Sequence, residues 1–284
     1  MIEQPRRAAV LGSPIGHSLS PVLHRAAYSS LGLDWRYDAL DVREDELAEF
    51  VDALDDAWVG LSLTMPLKTA ILPLLHDASD TVETVGAANT VLLRDGRRHG
   101  HNTDVMGMVR AIRELAEEAA GGQPAGPSPA FPRATILGGG ATARSALAAL
   151  HRLGAEVVYA ALRDPGKGAD LLRISGDLGM DLRIVSWDEA HHHLDADVVI
   201  STVPGGAADR YAQDVPDDPG ILLDVAYGEQ AGTLVPAWRA RGAVAADGLL
   251  LLLWQAVDQV ALMTGRDAPV DEMRAALMGA VGRG

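Results

Sequence analysis

The sequence contains no cysteine in its 284 residues. Disulfides and thiol chemistry are therefore excluded, and a reducing, cytoplasmic setting is expected. Basic side chains are in the minority, with 24 Lys and Arg against 39 Asp and Glu and a net charge of −15. Such a surface repels phosphate backbones, so nucleic acid is not an expected partner. An anionic small molecule must be drawn in by a local site, against the overall field. No apolar run is long enough for a membrane span. The most apolar stretch, Leu249 to Trp254, is broken by Gln255, Asp258 and Gln259. It falls well short of the ~20 residues a span needs and reads as buried helix. Met1 to Arg7 is short and polar, and no signal-peptide core follows.

What is present is an ordinary apolar fraction of 48%, enough for packed cores. Domains usually hold roughly 100–200 residues, so two domains are expected. In the first half, strand-like and helix-like stretches alternate. Ala8–Gly12 reads as a strand, and Ser20-Pro21 opens a helix with Ser20 as N-cap and Gly32 as its closing C′ residue. Asp38–Val42 and Val59–Thr64 read as further strands, Glu44–Leu54 as a helix, and Pro66 starts another. Thr90–Leu93 and Arg98–His101 form a hairpin around Asp95-Gly96, followed by a helix from Val105 to about Ala119. Gly121–Pro132 is a Gly/Pro/Ser/Ala linker or surface loop. The alternation then restarts with strands at Ala134–Leu137, Glu156–Arg163, Arg183–Val185, Val198–Thr202 and Ile221–Asp224. A helical stretch, Gly248–Val281, follows and is capped by Gly265. The pattern predicts a doubly wound parallel sheet with helices on both faces.

The strand Ala134–Leu137 runs into Gly138-Gly139-Gly140-Ala141-Thr142-Ala143 and then a helix. This is G-x-G-x-x-A in the context of a Rossmann-like dinucleotide site. Gly138 permits the tight turn, Gly140 lets backbone approach a pyrophosphate, and Ala143 keeps helix and strand close. The alternative is a glycine-rich turn without a ligand. An NAD site would carry an acidic residue at the end of the next strand. Here that strand ends Leu162-Arg163-Asp164, and Arg163 suits a 2′-phosphate, favouring NADP, with Lys167 in support. Asp164 reads either as an N-cap before Pro165 or as a ribose ligand.

Further motifs bear on chemistry. They are Gly12-Ser13-Pro14-Ile15-Gly16-His17-Ser18-Leu19-Ser20-Pro21, Gly60-Leu61-Ser62-Leu63-Thr64-Met65-Pro66-Leu67-Lys68, Gly86-Ala87-Ala88-Asn89-Thr90, His101-Asn102-Thr103-Asp104, and Asp247-Gly248-Leu249 followed by Gln255-Ala256. Ser18 and Ser20 lie at a helix start, where hydroxyls and free N–H groups suit a carboxylate. Ser18 has no evident structural duty. Lys68 sits at the positive end of a helix, where a solvated lysine gains nothing. Asp104 precedes a helix, so an N-cap is its bland reading. The run His191-His192-His193 reads as a solvated surface stretch, and no metal is expected.

In order and spacing these motifs resemble the shikimate dehydrogenase family, of actinobacterial type, over essentially the whole chain. The resemblance implies an open α/β substrate-binding catalytic domain, roughly residues 1–106 and 250–284, and a Rossmann-like NADP-binding domain, roughly 107–249. It implies reversible, NADPH-dependent reduction of 3-dehydroshikimate to shikimate, a step of chorismate and aromatic amino acid biosynthesis, by a monomer or homodimer. Lys68 and Asp104 would be the catalytic pair. Ser18 and Ser20 would hold the substrate carboxylate, and Thr64 and Asn89 its ring hydroxyls. Gln255 and Tyr227 would complete the substrate site. Gly138, Gly139, Gly140, Ala141, Thr142, Ala143, Arg163, Thr202, Val225 and Gly248 would line the cofactor site. The chain departs from the family pattern at Ser62, usually Asn, at Leu162-Arg163-Asp164, usually Asn-Arg-Thr, and at Ser201-Thr202-Val203-Pro204 in place of Asn-Ala-Thr. Relatives acting on quinate or an amino-shikimate differ by one ring substituent and stay open as alternatives. A non-catalytic nucleotide-binding regulator would need only the glycine turn. A folate-linked dehydrogenase would leave the serine pair without a role.

Overall fold

The computed structural model describes residues 5–122 and 131–282, so most of the expected linker, Gly121–Pro132, lies outside the described residues. The chain divides into two compact units, Met1–Thr103 with Gln255–Gly284, and Asp104–Trp254. Compared with the expected boundaries, residues 104–106 and 250–254 fall in the second unit. The first division falls at the start of the helix that begins at Asp104, and the second falls inside the helix Gly248–Thr264.

The first unit is built on β1 (Arg6–Gly12), α1 (Ser20–Ser30), β2 (Trp35–Asp41), α2 (Leu47–Asp52), β3 (Trp58–Leu63), α3 (Leu67–Ala70), β4 (Asp77–Ala78), α4 (Asp80–Val85), β5 (Thr90–Arg94) and β6 (Arg97–His101). The sheet order is β2-β1-β3-β5-β6-β4. β1 pairs in parallel with β2 on one side and β3 on the other, while β5 runs antiparallel to β3 and β6. The sheet is therefore mixed. The hairpin turn holds Asp95 and Gly96 at φ 51° and 68°, the paired left-handed geometry that suits a two-residue hairpin. One face buries Leu11, Leu61, Leu63 and Val91 against Leu47, Leu67 and Ile71. The other buries Val10, Tyr28, Tyr37 and Met263. α1 closes as expected, with Gly32 at φ 66° and Leu33 N–H reaching back to Tyr28 O.

The second unit holds α5 (Asp104–Ala119), β7 (Arg133–Leu137), α6 (Ala141–Arg152), β8 (Val157–Leu162), α7 (Ala169–Leu178), β9 (Asp181–Ser186), β10 (Val198–Ser201), β11 (Ile221–Asp224), α8 (Leu234–Ala240) and β12 (Ala245–Ala246). Its six strands are all parallel, in the order β12-β11-β10-β7-β8-β9. Order reverses between β7 and β10, so a crevice opens at their carboxyl ends. α9 (Gly248–Thr264) and α10 (Val270–Ala280) complete the chain. Gly265, at φ 68°, ends α9. Among the described residues, no helix is long and apolar enough to cross a membrane.

Candidate active site

In an open α/β sheet, ligands bind beyond the carboxyl ends of strands, where the winding direction reverses. In the first unit that point lies between β1 and β3. β1 leads through α1 to β2 on one side, and the chain then crosses to β3 on the other. The segment after β1 carries Ser18 and Ser20, and the segment after β3 carries Thr64 and Lys68. The two are tied together by Ser13 N–H donating to Met65 O at 3.1 Å and Thr64 N–H to Leu11 O at 2.9 Å. Both segments contain a cis peptide, Ser13-Pro14 and Met65-Pro66.

The serine pair is arranged differently from expectation. α1 begins at Ser20 itself, Leu19 takes the N-cap position, and no side chain caps the helix. Ser20 is thus not the N-cap. Its main-chain N–H instead donates to Ser18 Oγ at 3.3 Å, so Ser18 has a local duty after all. The hydroxyl of Ser20 is left uninvolved in capping, at a helix start whose Val22 and Leu23 N–H groups both reach back to Leu19 O.

Lys68 is the second residue of the one-turn helix α3, whose N-cap is Pro66. Its carbonyl accepts from Ala88 N–H at 2.8 Å, and Asn89 O accepts from Leu63 N–H at 2.8 Å. These bonds lock the Lys68 turn to the Gly86–Thr90 segment. Gly86 ends α4 in the left-handed conformation, at φ 63°, which turns the chain toward Asn89. Asn89 is buried. Its Oδ1 accepts from Thr103 N–H at 2.8 Å and Thr90 Oγ1 at 2.9 Å. Its Nδ2 donates to Thr103 Oγ1 at 2.8 Å and faces Gln255 Oε1 at 3.4 Å. Ser18, Ser20, Thr64, Lys68, Asn89 and Gln255 all belong to the first unit, and Asp104 is the first residue of the second.

Sequence reasoning missed the buried polar cluster behind Asn89. Gln259, one helical turn after Gln255, donates to Asn89 O at 3.2 Å and Thr90 Oγ1 at 3.0 Å. Its Oε1 accepts from Ser62 Oγ at 2.9 Å and pairs with His24 Nε2 at 3.2 Å. Tyr37 donates to Ser62 Oγ at 2.6 Å. Ser62, where the family pattern has Asn, is therefore fully engaged. Burial drives the His24 imidazole pKa down to about 3, the Gln259 bond offsetting only part of that, so the ring is neutral. The available signal was a pair of glutamines four apart on one face of a largely apolar helix.

A separate groove in this unit, about 840 Å³, is lined among others by Arg6, Trp35 and Trp58, the first residues of β1, β2 and β3. It lies at the amino ends of the strands, and its arginines are engaged with carbonyls and carboxylates, as Arg6 is with Asp56 O and Arg98 with Asp52. It is not the switch-point site.

In the second unit, the turn after β7 meets the strict requirements of a dinucleotide loop. Gly138 stands at φ 116°, and a β-carbon there would lie 2.5 Å from Thr202 Oγ1. At Gly139 a β-carbon would meet Leu162, whereas at Gly140 it would meet nothing within 4 Å. Gly140 thus leaves open space in front of the N-terminus of α6, which no side chain caps. Ala143 is fully buried, as close helix–strand packing requires. Thr202 binds Leu137 O through its hydroxyl at 2.9 Å, which fixes the neighbouring turn. Arg163 is exposed just past β8. Asp164 accepts from Gly166 N–H at 3.1 Å, the N-cap reading of that residue. Gly248 packs directly on Val225 O and lies within 3.1 Å of a Tyr227 ring carbon if given a β-carbon, so its glycine has a packing cause. Asp224 is held above the ordinary carboxyl range by burial, against the lowering effect of the Ala226 N–H and Ser201. His191 and His192 are exposed and His193 stacks on Tyr159. No group of three or more His, Cys, Asp or Glu able to hold a metal occurs among the described residues.

A serine-bearing turn and a lysine-bearing turn thus flank one switch point, with a glycine turn at another. Two family models match this arrangement, the shikimate dehydrogenase substrate binding domain over residues 10–91 and the shikimate 5′-dehydrogenase C-terminal domain over 248–278. The shikimate dehydrogenase (NADP(+)) of Methanothrix thermoacetophila is 34% identical over 97% of each chain. The chain belongs to the shikimate dehydrogenase family. Among solved members of the family, shikimate dehydrogenase from Mycobacterium tuberculosis superposes with a TM-score of 0.86 at 34% identity, covering 97% of this chain and 100% of that one. The Thermus thermophilus shikimate 5-dehydrogenase, solved in complex with NADP(H) and shikimate, gives 0.81 at 31% identity, covering 97% and 99%.

Proposed function

We propose that the chain is an NADP-dependent shikimate dehydrogenase, reducing 3-dehydroshikimate reversibly to shikimate in the aromatic amino acid pathway. The observation that carries this reading is the bond from Ala88 N–H to Lys68 O, 2.8 Å. It joins the turn bearing the lysine of the Gly60–Lys68 motif to the turn bearing Asn89, beside the segment of the serine pair. We read the first unit as the substrate-binding catalytic domain and the second as the NADP-binding domain, in a cytoplasmic monomer or homodimer.

The residues present fit the cofactor. The space in front of Gly140 and the uncapped α6 start suit a pyrophosphate, and exposed Arg163 suits a 2′-phosphate. Gly138 to Ala143 and Thr202 would cradle it, with Val225 and Gly248 toward its reactive end. Bound NADPH supplies a hydride to the substrate carbonyl. Lys68 meets the negative charge that grows on the carbonyl oxygen and donates a proton to it, and Asp104 orients the ammonium. Ser18 and Ser20 hold the carboxylate at the start of α1. Thr64, Asn89 and Gln255 hold ring hydroxyls through short, rigid groups, and Tyr227 adds a further contact.

Initial-rate kinetics with shikimate, quinate and an amino-shikimate, each with NADP+ and NAD+, test the proposal. The expected preference is shikimate with NADP+. A higher kcat/KM for quinate or the amino compound would reassign the substrate, and no turnover of any would end the enzymatic reading.

A further inference from the structure

We infer that Gln259 is a positioning residue that clamps Asn89 at two points, with Thr90 as the relay to its side chain. This inference rests on the proposed role of Asn89 in holding a ring hydroxyl of the substrate.

The direction of every bond in the cluster follows from one obligate acceptor. Asn89 O is a carbonyl and can only accept, so the group of Gln259 that faces it at 3.2 Å must be the amide nitrogen. The same nitrogen donates to Thr90 Oγ1 at 3.0 Å. The Thr90 hydroxyl, having accepted, donates onward to Asn89 Oδ1 at 2.9 Å. One amide thus fixes Asn89 by its main chain directly and by its side chain through Thr90. With Oδ1 committed to Thr90 and to Thr103 N–H, the Asn89 amide nitrogen is set as the donor, to Thr103 Oγ1 at 2.8 Å and toward Gln255 Oε1 at 3.4 Å.

The far end of Gln259 is held as firmly. Its Oε1 takes a bond from Ser62 Oγ at 2.9 Å, and Ser62 is itself supplied by Tyr37 at 2.6 Å. His24 Nε2, 3.2 Å away, must also donate, which leaves Nδ1 to accept from Tyr28 OH at 3.4 Å. The ring of His24 lies flat on Tyr37, with centroids 3.9 Å apart. A neutral imidazole suits this tautomer, and burial keeps it neutral. All of these groups are buried, so a lost partner is not replaced by water without rearrangement. Ser62 has a specific part here. It is short enough to sit between the Tyr37 hydroxyl and Gln259, and it converts one donor into another.

The test uses the full chain. Thr90→Val keeps shape and removes the relay, and Thr90→Ser restores it. Gln259→Met removes the clamp while keeping length. The expected result is a rise of roughly three- to tenfold in KM for shikimate in Thr90→Val and Gln259→Met, the effect of about one lost hydrogen bond. The KM for NADP+ should hold, kcat should change less than KM, and Thr90→Ser should return close to the parent. In an Asn89→Ala background, Thr90→Val should add nothing, because both act through the same group. A melting-temperature loss with an unchanged shikimate KM, or a full Thr90→Val effect persisting without Asn89, would overturn the inference. The side-chain amide protons of Asn89, assigned by their disappearance in Asn89→Ala, give a readout free of activity. Their exchange with solvent should accelerate about tenfold or more in Thr90→Val if the clamp exists, and unchanged exchange would overturn it. If the parent enzyme turns over no shikimate while this exchange effect is present, it is the proposed function that fails.

Discussion

A side chain on Gly12 would overlap the γ-methyl of Thr64 and come within 3.0 Å of Met65 O. The last residue of β1 and the first residue after β3 are thereby pressed together at the switch point. A glycine is needed at Gly12 for close approach, not for turn conformation. Gly12→Ala should displace Thr64 and Met65, destabilising by about 1–3 kcal/mol as overpacking does. The KM for shikimate should rise as well, because Thr64 is moved. Thr64→Ser removes the clashing methyl, so Gly12→Ala with Thr64→Ser should recover part of the melting temperature. An unchanged melting temperature in Gly12→Ala would show that the two segments separate easily.

The long elements were legible in the sequence because each carries a full period of pattern. The strand at Ile221–Asp224 follows from its apolar run, and the helix after the glycine turn from the G-x-G-x-x-A pattern at Gly138–Ala143. α4, β4 and β12 were not anticipated, since six or two residues hold too little pattern to read. The hairpin at Asp95-Gly96 accounts for the antiparallel β5–β6 pair of the first sheet, while the second antiparallel pair, β3–β5, joins strands whose pairing no local pattern announces. In the candidate site, the sequence motifs named Ser18, Thr64, Lys68 and Asn89 because each stands in a short run of distinctive residues. What stayed hidden depended on partners far apart in the chain. Gln259 meets Asn89 across 170 positions and Ser62 across 197.

Arg163 should separate the two nicotinamide cofactors. It is exposed at the end of β8, and Asp164 beside it is occupied with Gly166 N–H. A charge-assisted phosphate contact is worth about 1.5–3 kcal/mol, so Arg163→Ala should raise the KM for NADPH roughly tenfold or more. The KM for NADH should stay nearly constant. Steady-state kinetics with both cofactors decide it. An equal loss with each would make Arg163 structural.

His24 gives the fold a defined acid limb. Its pKa is 6.5 in the ordinary state and about 3 when folded. Below pH 6.5 the unfolded chain takes up a proton that the folded chain refuses. Stability therefore falls as pH drops, by about 1.4 kcal/mol per unit from this residue, and is fully present above the unfolded value. His101 and His193 are shifted downward too, chiefly by burial, and act with the same sign. Urea unfolding between about pH 5 and 6.5 should show this slope, and His24→Gln should remove about one proton of it. A variant with the parent's slope would mean that His24 is protonated in the folded state.

Lys68 offers the sharpest division between binding and chemistry. On the proposed function, the serines, Thr64 and Asn89 would meet groups present in the substrate before and during reaction and so act mainly on binding, whereas Lys68 would meet charge that appears only as hydride arrives. Its main chain is fixed by the bond from Ala88, so removing the side chain leaves the turn in place. Lys68→Ala should lower kcat by roughly 10²–10⁴, the range of a general acid–base group, with little change in the KM for shikimate. Lys68→Met keeps the stem and should fall as far, which separates charge from packing. Asp104→Asn should also be impaired, and the double variant should be little worse than Lys68→Ala, because residues acting as a unit lose their effect together. If Lys68→Ala kept more than about a tenth of parental turnover, the loss would be below ~1.4 kcal/mol. That is too small for the group that protonates the developing alkoxide, and the proton would have to come from elsewhere in the site.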